Sequence, residues 1–521
     1  ASDVYKRQFL FFFVKYIDEK CKIIYDDTSK YRYIGGNAKM AKGDMVRITY
    51  VELWNFKNVR HGSINLLLQP EGFKSSVLGI FGQNGSGKTA FIDSLNILKQ
   101  ALSGRILDNQ YAGYIMYGAE CAVLSFHFIV SAGNIHYRVK YTFKLRKEAA
   151  LPDSNVEAFS ETEEDTVQYR PVIFDEELKC AVETESLKCP MTTVMNTKSN
   201  KAVFLPKAKY DLLIDDKTAY IQLMGDKGMA LKLGKSFLFS SELLSFIRKN
   251  KNAEIYRLLL DSLVRFGNFE LFVMKTDMNG IISLSGLPFA FHLEGSAIGQ
   301  TLLPINKPPV IPKDMFRVLS EMIGYMNIVL QTLIPGLTIG VHDLGTAFVG
   351  KTHMEGIRIG LTSCRNGREI PLVYESDGIK KIVSVLQLFI EIYNRPSMTV
   401  AVDELDSGIF EYLLGELLSI IQERGKGQLI FTSHNLRPLE TLPTLCTAFT
   451  TTDPDERYIR IRNMKRSNNL RSSYYRNIIL GNDHYTLYDE TENYKIAAAF
   501  RKAGMQEEER RLNPKGGKPN A

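Results

Sequence analysis

The chain has 521 residues and a mass of 59.1 kDa, with 45% hydrophobic residues, 24% charged residues and a net charge of +7. This balance excludes global disorder, and no apolar run approaches the ~20 residues needed to cross a bilayer. Six cysteines in so long a chain, none of them in a Cys-x-x-Cys pair, exclude a disulfide framework and point to a reducing, cytoplasmic setting.

Residues 1–39 contain no methionine and no clear pattern, and Asp3 to Gln8 resembles a translated sequencing adapter. They read as a non-native or read-through extension. Arg47 to Leu53 then alternates as a strand, with Ser63 to Leu68 as its partner. Val77 to Phe81 is a short apolar run between turn residues, the pattern of a buried strand. Phe91, Leu95, Leu98 and Leu102 follow at helical spacing. Cys121–Val130 and Ile135–Phe143 read as strands joined at Gly133-Asn134. From about 150 to 230, acidic clusters that include Asp175-Glu176-Glu177 separate apolar segments too short for a large core, which predicts an insertion with loops. Residues 236–330 read as mostly helical. No heptad pattern persists, so long coiled-coil arms are not expected.

Order returns near 335. Ile379, Ile382, Val383, Leu386, Phe389, Ile390 and Tyr393 make one helix face. Met398–Val402 reads as a strand, and Phe410, Leu413, Leu414, Leu417, Leu418 and Ile421 as the next helix. Gln428–Thr432 is a further strand. Strand, helix, strand at this spacing implies parallel strands with crossover helices. The expected division is an extension at 1–39, half of an α/β core at 40–145, an insertion at 146–334, the other half at 335–450, a basic subdomain at 451–512 and a disordered tail at 513–521.

Gly82-Gln83-Asn84-Gly85-Ser86-Gly87-Lys88-Thr89 fits the P-loop pattern at every constrained position, with a strand before it and a helix after it. The glycines let the backbone curl so that N–H groups face phosphate oxygens, and the helix adds its positive end. Lys88 would meet the β- and γ-phosphates of ATP, and Thr89 would offer a hydroxyl to Mg²⁺. The second motif is the strand Met398–Val402 running into Asp403-Glu404. Placed beside the P-loop strand, Asp403 would join the Mg²⁺ shell and Glu404 would act as base on the attacking water.

Two more segments narrow the class. Tyr374-Glu375-Ser376-Asp377-Gly378 precedes the long helix, and Phe431-Thr432-Ser433-His434 ends the last strand. Leu405-Asp406-Ser407-Gly408 follows the acidic pair. The order of motifs resembles the ABC-type ATPase core: P-loop, signature, Walker B, D-loop, switch histidine. Leu53-Trp54-Asn55-Phe56-Lys57-Asn58 resembles the N-terminal hairpin of SMC, RecF and OLD-type ATPases. The whole is most similar to the bacterial "AAA family ATPase" group, whose relatives act in phage defence or DNA maintenance. The resemblance covers Met45 to about Phe143 and about Gly336 to Glu440.

That resemblance implies a P-loop NTPase fold: a parallel sheet plus an N-terminal antiparallel β-subdomain, interrupted by a largely helical insertion. It implies ATP and Mg²⁺ as cofactors and ATP hydrolysis as the activity. Ser376 and the Gly378 N–H would reach the γ-phosphate of a second subunit, making a homodimer or larger homo-oligomer gated by nucleotide, and His434 would report loss of that phosphate. The alternative is a slow-hydrolysing scaffold that holds a separately encoded effector. A transporter subunit fits less well, because Glu-Ser-Asp-Gly stands in place of Leu-Ser-Gly-Gly-Gln. Gln100, Gln110 and Gln168 are all candidates for a Q-loop glutamine, but none has the right sequence context.

Residues 457–476 hold seven basic residues (Arg457, Arg460, Arg462, Lys465, Arg466, Arg471 and Arg476) and no acid, which reads either as a contact for nucleic acid (DNA) or a partner protein, or as a solvated face. No metal cluster for a nuclease, no structural zinc spacing and no membrane partner region is evident in the sequence.

Overall fold

Two β-sheets set the architecture of this computed structural model, which describes residues 24–25, 31–32, 44–66, 76–149, 168–185, 188–216, 218–275, 286–293, 297–305, 307–348, 355–461, 470–480, 486–488 and 492–512. The first sheet is antiparallel. It contains Met45–Phe56 (β1), Val59–Asn65 (β2), Ala122–Ala132 (β4), Ile135–Ala149 (β5), Tyr169–Glu183 (β6) and Lys188–Asn196 (β7), after Ser76–Phe81 (β3) and Lys88–Leu102 (α1) have left for the other layer. Its strand order is β2-β1-β4-β5-β6-β7.

The last two strands correct the expectation of loops after 150. The acidic run Asp175-Glu176-Glu177 lies within β6, where it is shared between the two faces of the sheet. Asp175 pairs with Lys144 at 3.0 Å and Glu177 with Lys179 at 3.1 Å. Glu176 turns inward and is 2% exposed. Its carboxylate accepts hydrogen bonds from the hydroxyls of Tyr141 and Ser236 and from the backbone N–H groups of Phe237 and Leu238. Burial raises its pKa, against those bonds. A buried carboxylate is tolerated only with such partners.

The second sheet carries the motifs. Its parallel strands are Leu271–Met274 (β8), Thr399–Val402 (β9), Gln428–Thr432 (β10), β3 and Thr447–Thr450 (β11), in the order β8-β9-β10-β3-β11. Tyr458–Ile459 (β12) adds an antiparallel edge. This order corrects one expectation: the strand ending at Asp403 is not beside the P-loop strand, because β10 lies between them. Likewise β8, and the pairs Gly286–Leu293 with Ala297–Pro304, interrupt a region expected to be mostly helical.

Alternation across the parallel sheet divides the core in two. Leu78, Ile80, Ala401, Ile430 and Ala448 face α1 and the antiparallel sheet. Val77, Phe81, Val400, Val402, Leu429 and Phe431 face the helix Asp377–Asn394 (α2), the helix Glu411–Arg424 (α3) and the helix Lys313–Leu333. The residues expected at helical spacing on α1, Phe91, Leu95, Leu98 and Leu102, are fully buried. Phe410 departs from its expected role. It precedes α3 and is 71% exposed, while Leu414, Leu417, Leu418 and Ile421 are buried.

Side chains at the starts of β9 and β10 tie the parallel sheet to β1. The Gln428 amide accepts from the Ile48 N–H at 2.9 Å and donates to the Ile48 carbonyl at 2.8 Å, as a neighbouring strand would. Ser397 adds a bond from the Val46 N–H at 3.1 Å. Of the expected terminal segments, only the antiparallel pair Ile24–Tyr25 with Tyr31–Arg32 in residues 1–39 is described, and the tail 513–521 lies outside the described residues.

Candidate active site

Parallel register brings the ends of β3, β9, β10 and β11 to one edge. The P-loop leaves β3 and closes on α1, whose N-cap Gly87 has a φ of 97°. Gly85 has a φ of 75°. Both lie where a Cβ is disfavoured, which is why glycines stand here. Gly82 is required for space as well, since a Cβ there would fall 1.9 Å from Thr450 Oγ1.

The cradle is braced by residues far away in sequence. Ser86 Oγ shares a short hydrogen bond with Thr450 Oγ1 and donates to Gln83 O at 2.7 Å. Tyr458 OH donates to Gly87 O at 2.8 Å. The Asn58 amide, at the β1–β2 turn, donates to Gly85 O, and Arg457 Nη2 donates to Asn58 O at 2.6 Å. Lys57 reaches Asp93 on α1, and Lys275 meets the same carboxylate at 2.6 Å. Of the braces outside the P-loop itself, Lys57 and Asn58 fell within the hairpin motif, and Arg457 and Tyr458 within the basic segment, which was read for a different purpose. None of Thr450, Arg457 and Tyr458 is marked as a brace by a motif; the pairing of β11 with β3, and of β12 with β11, brings them to the loop.

Lys88 is 6% exposed, and its ammonium folds back onto Gly82 O at 2.8 Å and Gln83 O at 2.9 Å. Burial lowers its pKa, and the charges of Asp403, Glu404 and Asp406 oppose that fall. The amine is therefore already inside the loop, facing three carboxylates. Thr89 is exposed, and Asn84 and Gly85 form the open rim.

Thr432, at the end of β10, is the bridge that the intervening strand supplies. Its hydroxyl donates to Asp403 Oδ1 and accepts the Glu404 N–H at 2.8 Å. Asp403 is 3% exposed. Glu404 adopts a left-handed backbone with a φ of 49°, a conformation that costs roughly 1–2 kcal/mol in a non-glycine residue. The Thr432 bond holds it there, with its side chain 38% exposed and Oε1 3.7 Å from His434 Nε2. Backbone strain of this kind persists only where the surroundings hold it, as the Thr432 bond does here.

The predicted P-loop residues, Asp403, Glu404 and His434 thus converge on one edge. Ser376 caps α2, accepting from the Ile379 N–H at 3.4 Å. Gly378 lies against the loop after β9, where a Cβ would stand 2.4 Å from Gly408 O. Tyr374, just before the cap, is 76% exposed. Gln100 is engaged by Asp108 at 2.8 Å, at the far end of α1, whereas Gln110 and Gln168 are exposed.

The residues fit Mg·ATP. A cradle of positive-φ glycines, a buried lysine, an exposed hydroxyl on the first helical turn and a buried carboxylate form a hard-oxygen and phosphate donor set. Among the described residues no group of three or more His, Cys, Asp or Glu could hold a metal ion by itself.

The basic segment 457–476 is corrected in part. Arg457 is buried and donates to Thr451 O and Asn58 O. Arg460 donates to Thr447 O at 3.1 Å and Asn65 O at 2.8 Å, and Arg471 pairs with Glu440 at 2.7 Å. Burial takes Arg457 out of any DNA surface, whereas Arg460 and Arg471 are half-buried with partners inside the chain and Arg476 is exposed. Arg462, Lys465 and Arg466 lie outside the described residues.

No family model and no curated protein matches the chain. Among solved structures it is similar to an SMC head bound to the C-winged helix domain of ScpA, at 12% identity and a TM-score of 0.37, with 80% of this chain and 97% of that one covered. The SMC head domain from Thermotoga maritima is 13% identical with a TM-score of 0.30, covering 80% and 100%. The recombination mediator RecF, solved as RecF-ATPrS, is 13% identical with a TM-score of 0.35, covering 80% and 98%. Among the described residues no helix is long and apolar enough to cross a membrane.

Proposed function

We propose that this protein is an ATP-hydrolysing switch of the ABC/SMC-like class, assembling as an ATP-gated homodimer or larger homo-oligomer. The observation that carries this reading is the convergence of Lys88 and Thr89 on Asp403, Glu404 and His434 at one sheet edge. Lys88 would leave Gly82 O and Gln83 O to meet phosphate oxygens, a charge-assisted exchange of partners. Thr89 and Asp403 would hold Mg²⁺, which when bound neutralises charge on the phosphates. Glu404 would accept a proton from water, and His434, in reach of Glu404, would contact the terminal phosphate.

Ser376 and Gly378 would complete the site of a second copy, so that nucleotide is the adhesive between two chains. The motif resemblance extends the proposal to a cytoplasmic role in DNA maintenance or anti-phage defence. The test is the solution mass of Glu404→Gln by light scattering with and without Mg·ATP. A rise in mass with ATP supports the shared site, and a mass indifferent to ATP removes the gating.

A further inference from the structure

The loop between β9 and α3 contains a carboxylate that the ATPase reading leaves without a task. Asp406 Oδ2 accepts the backbone N–H groups of His434 at 3.1 Å and Asn435 at 2.9 Å. It therefore fixes the backbone that aims the His434 ring at Glu404. Its other oxygen, Oδ1, is buried and has no hydrogen-bond partner. A buried carboxylate oxygen in that condition calls for a compensating charge.

Such a charge lies on the signature helix. Lys381, five residues after the Ser376 cap, is 2% exposed. Burial lowers its pKa, and the first of the carboxylates that oppose the fall is Asp406, ahead of Glu404 and Asp403. The two elements also touch. Gly378 packs on the Gly408 carbonyl, two residues beyond Asp406, with no room for a methyl group between them. Helix α2, the loop after β9 and the loop after β10 are thus connected through one acid.

We propose that Asp406 is a positioning residue that sets His434 against Glu404, and that Lys381 on the signature helix is its charge partner. Displacement of α2 would carry Lys381 relative to Asp406 Oδ1, and Asp406 would pass the change to His434 through its two backbone bonds. The consequence for turnover rests on the ATPase reading. The consequence for His434 does not.

The experiment therefore has two readouts on the full chain. The first is the rate at which diethyl pyrocarbonate modifies His434, followed by peptide mass spectrometry without nucleotide. Asp406→Ala removes the acceptor of two N–H groups and should raise this rate about threefold or more, while Asp406→Asn retains an acceptor oxygen and should stay near wild type. An unchanged rate in Asp406→Ala overturns the positioning role.

The second readout is steady-state ATP hydrolysis. Asp406→Ala should lower kcat by about tenfold with KM for ATP within about twofold, and Lys381→Met combined with Asp406→Asn should cost less than the product of the two single variants. A raised KM with intact kcat, or simple multiplication of the two effects, overturns the pairing. Should Asp406→Ala fail to fold, as judged by circular dichroism, Asp406→Ser, whose shorter side chain cannot reach both N–H groups, carries the positioning test with the same expected rise in rate, and the cycle of Lys381→Met with Asp406→Asn carries the pairing. A wild-type protein that neither binds nor hydrolyses ATP refutes the ATPase reading, while the His434 rates still decide the positioning role.

Discussion

The cradle and the signature are built to different standards. Around the P-loop, Thr450, Tyr458 and Asn58 arrive from both ends of the chain to hold individual loop atoms, and Arg457 holds Asn58 in turn. At the signature, Ser376 makes one long capping bond, and Val373 and Tyr374 beside it are exposed. A loop braced on all sides is preorganised, so little ordering entropy remains to be lost when an anion enters. The helix end is braced by the Gly378–Gly408 contact, by Ser363 donating to Glu375 at 2.6 Å and by the Lys380–Asp377 pair, while Tyr374 beside it keeps its side chain outward. An exposed signature face is what the proposed shared site would require, and the cradle needs no such partner.

Four substitutions break or sharpen that contrast. Glu404→Gln should leave nucleotide binding intact and slow hydrolysis by about a thousandfold, as for loss of a general base. Phosphate release measured beside ATP affinity would check it, and near-wild-type turnover would place the base elsewhere. Lys88→Ala should weaken ATP binding by about a hundredfold, because the removed charge works in a desolvated loop. Titration with a fluorescent ATP analogue reads this directly, and tight binding would remove the cradle from the argument.

Gly378→Ala drives a methyl group into the Gly408 carbonyl and should cost about 1–3 kcal/mol in chemical denaturation. Its effect on the ATP-dependent mass should exceed its effect on ATP affinity; the reverse order would make the signature part of the same chain's cradle. Tyr458→Phe deletes one buried bond to Gly87 O and should cost about 1 kcal/mol. If braced preorganisation matters, this small loss should appear in ATP affinity as well as in the melting temperature.

Much of the cradle and of the strand ends was legible because its chemistry is contiguous. Gly82 to Thr89, Asp403-Glu404 and the apolar strands before them are each read from a handful of neighbouring residues. The order of strands was not legible in the same way. Nothing local to Met398–Val402 says that β10 would come between it and β3, and so the role of Thr432 as a bridge stayed hidden. The acids of β6 misled for a related reason. Asp175-Glu176-Glu177 reads as solvated loop until lysines on β5 and β6 and a ring of donors around Glu176 are known. Arg457 and Arg460 misled in the opposite sense, since a run of positive charge looks like a surface until its backbone acceptors are found.

The Gln428 amide has a mechanical consequence. Because it completes both hydrogen bonds of Ile48, sliding the antiparallel sheet past the parallel one would break two buried bonds at once. Strand β10 begins at this joint and runs directly to Thr432 and His434 at its other end. It therefore works as a short, stiff rod with the sheet-to-sheet hinge point at one end and the reacting groups at the other. Load applied to the β1–β2 hairpin would reach the site along five residues of backbone rather than dissipate between the layers.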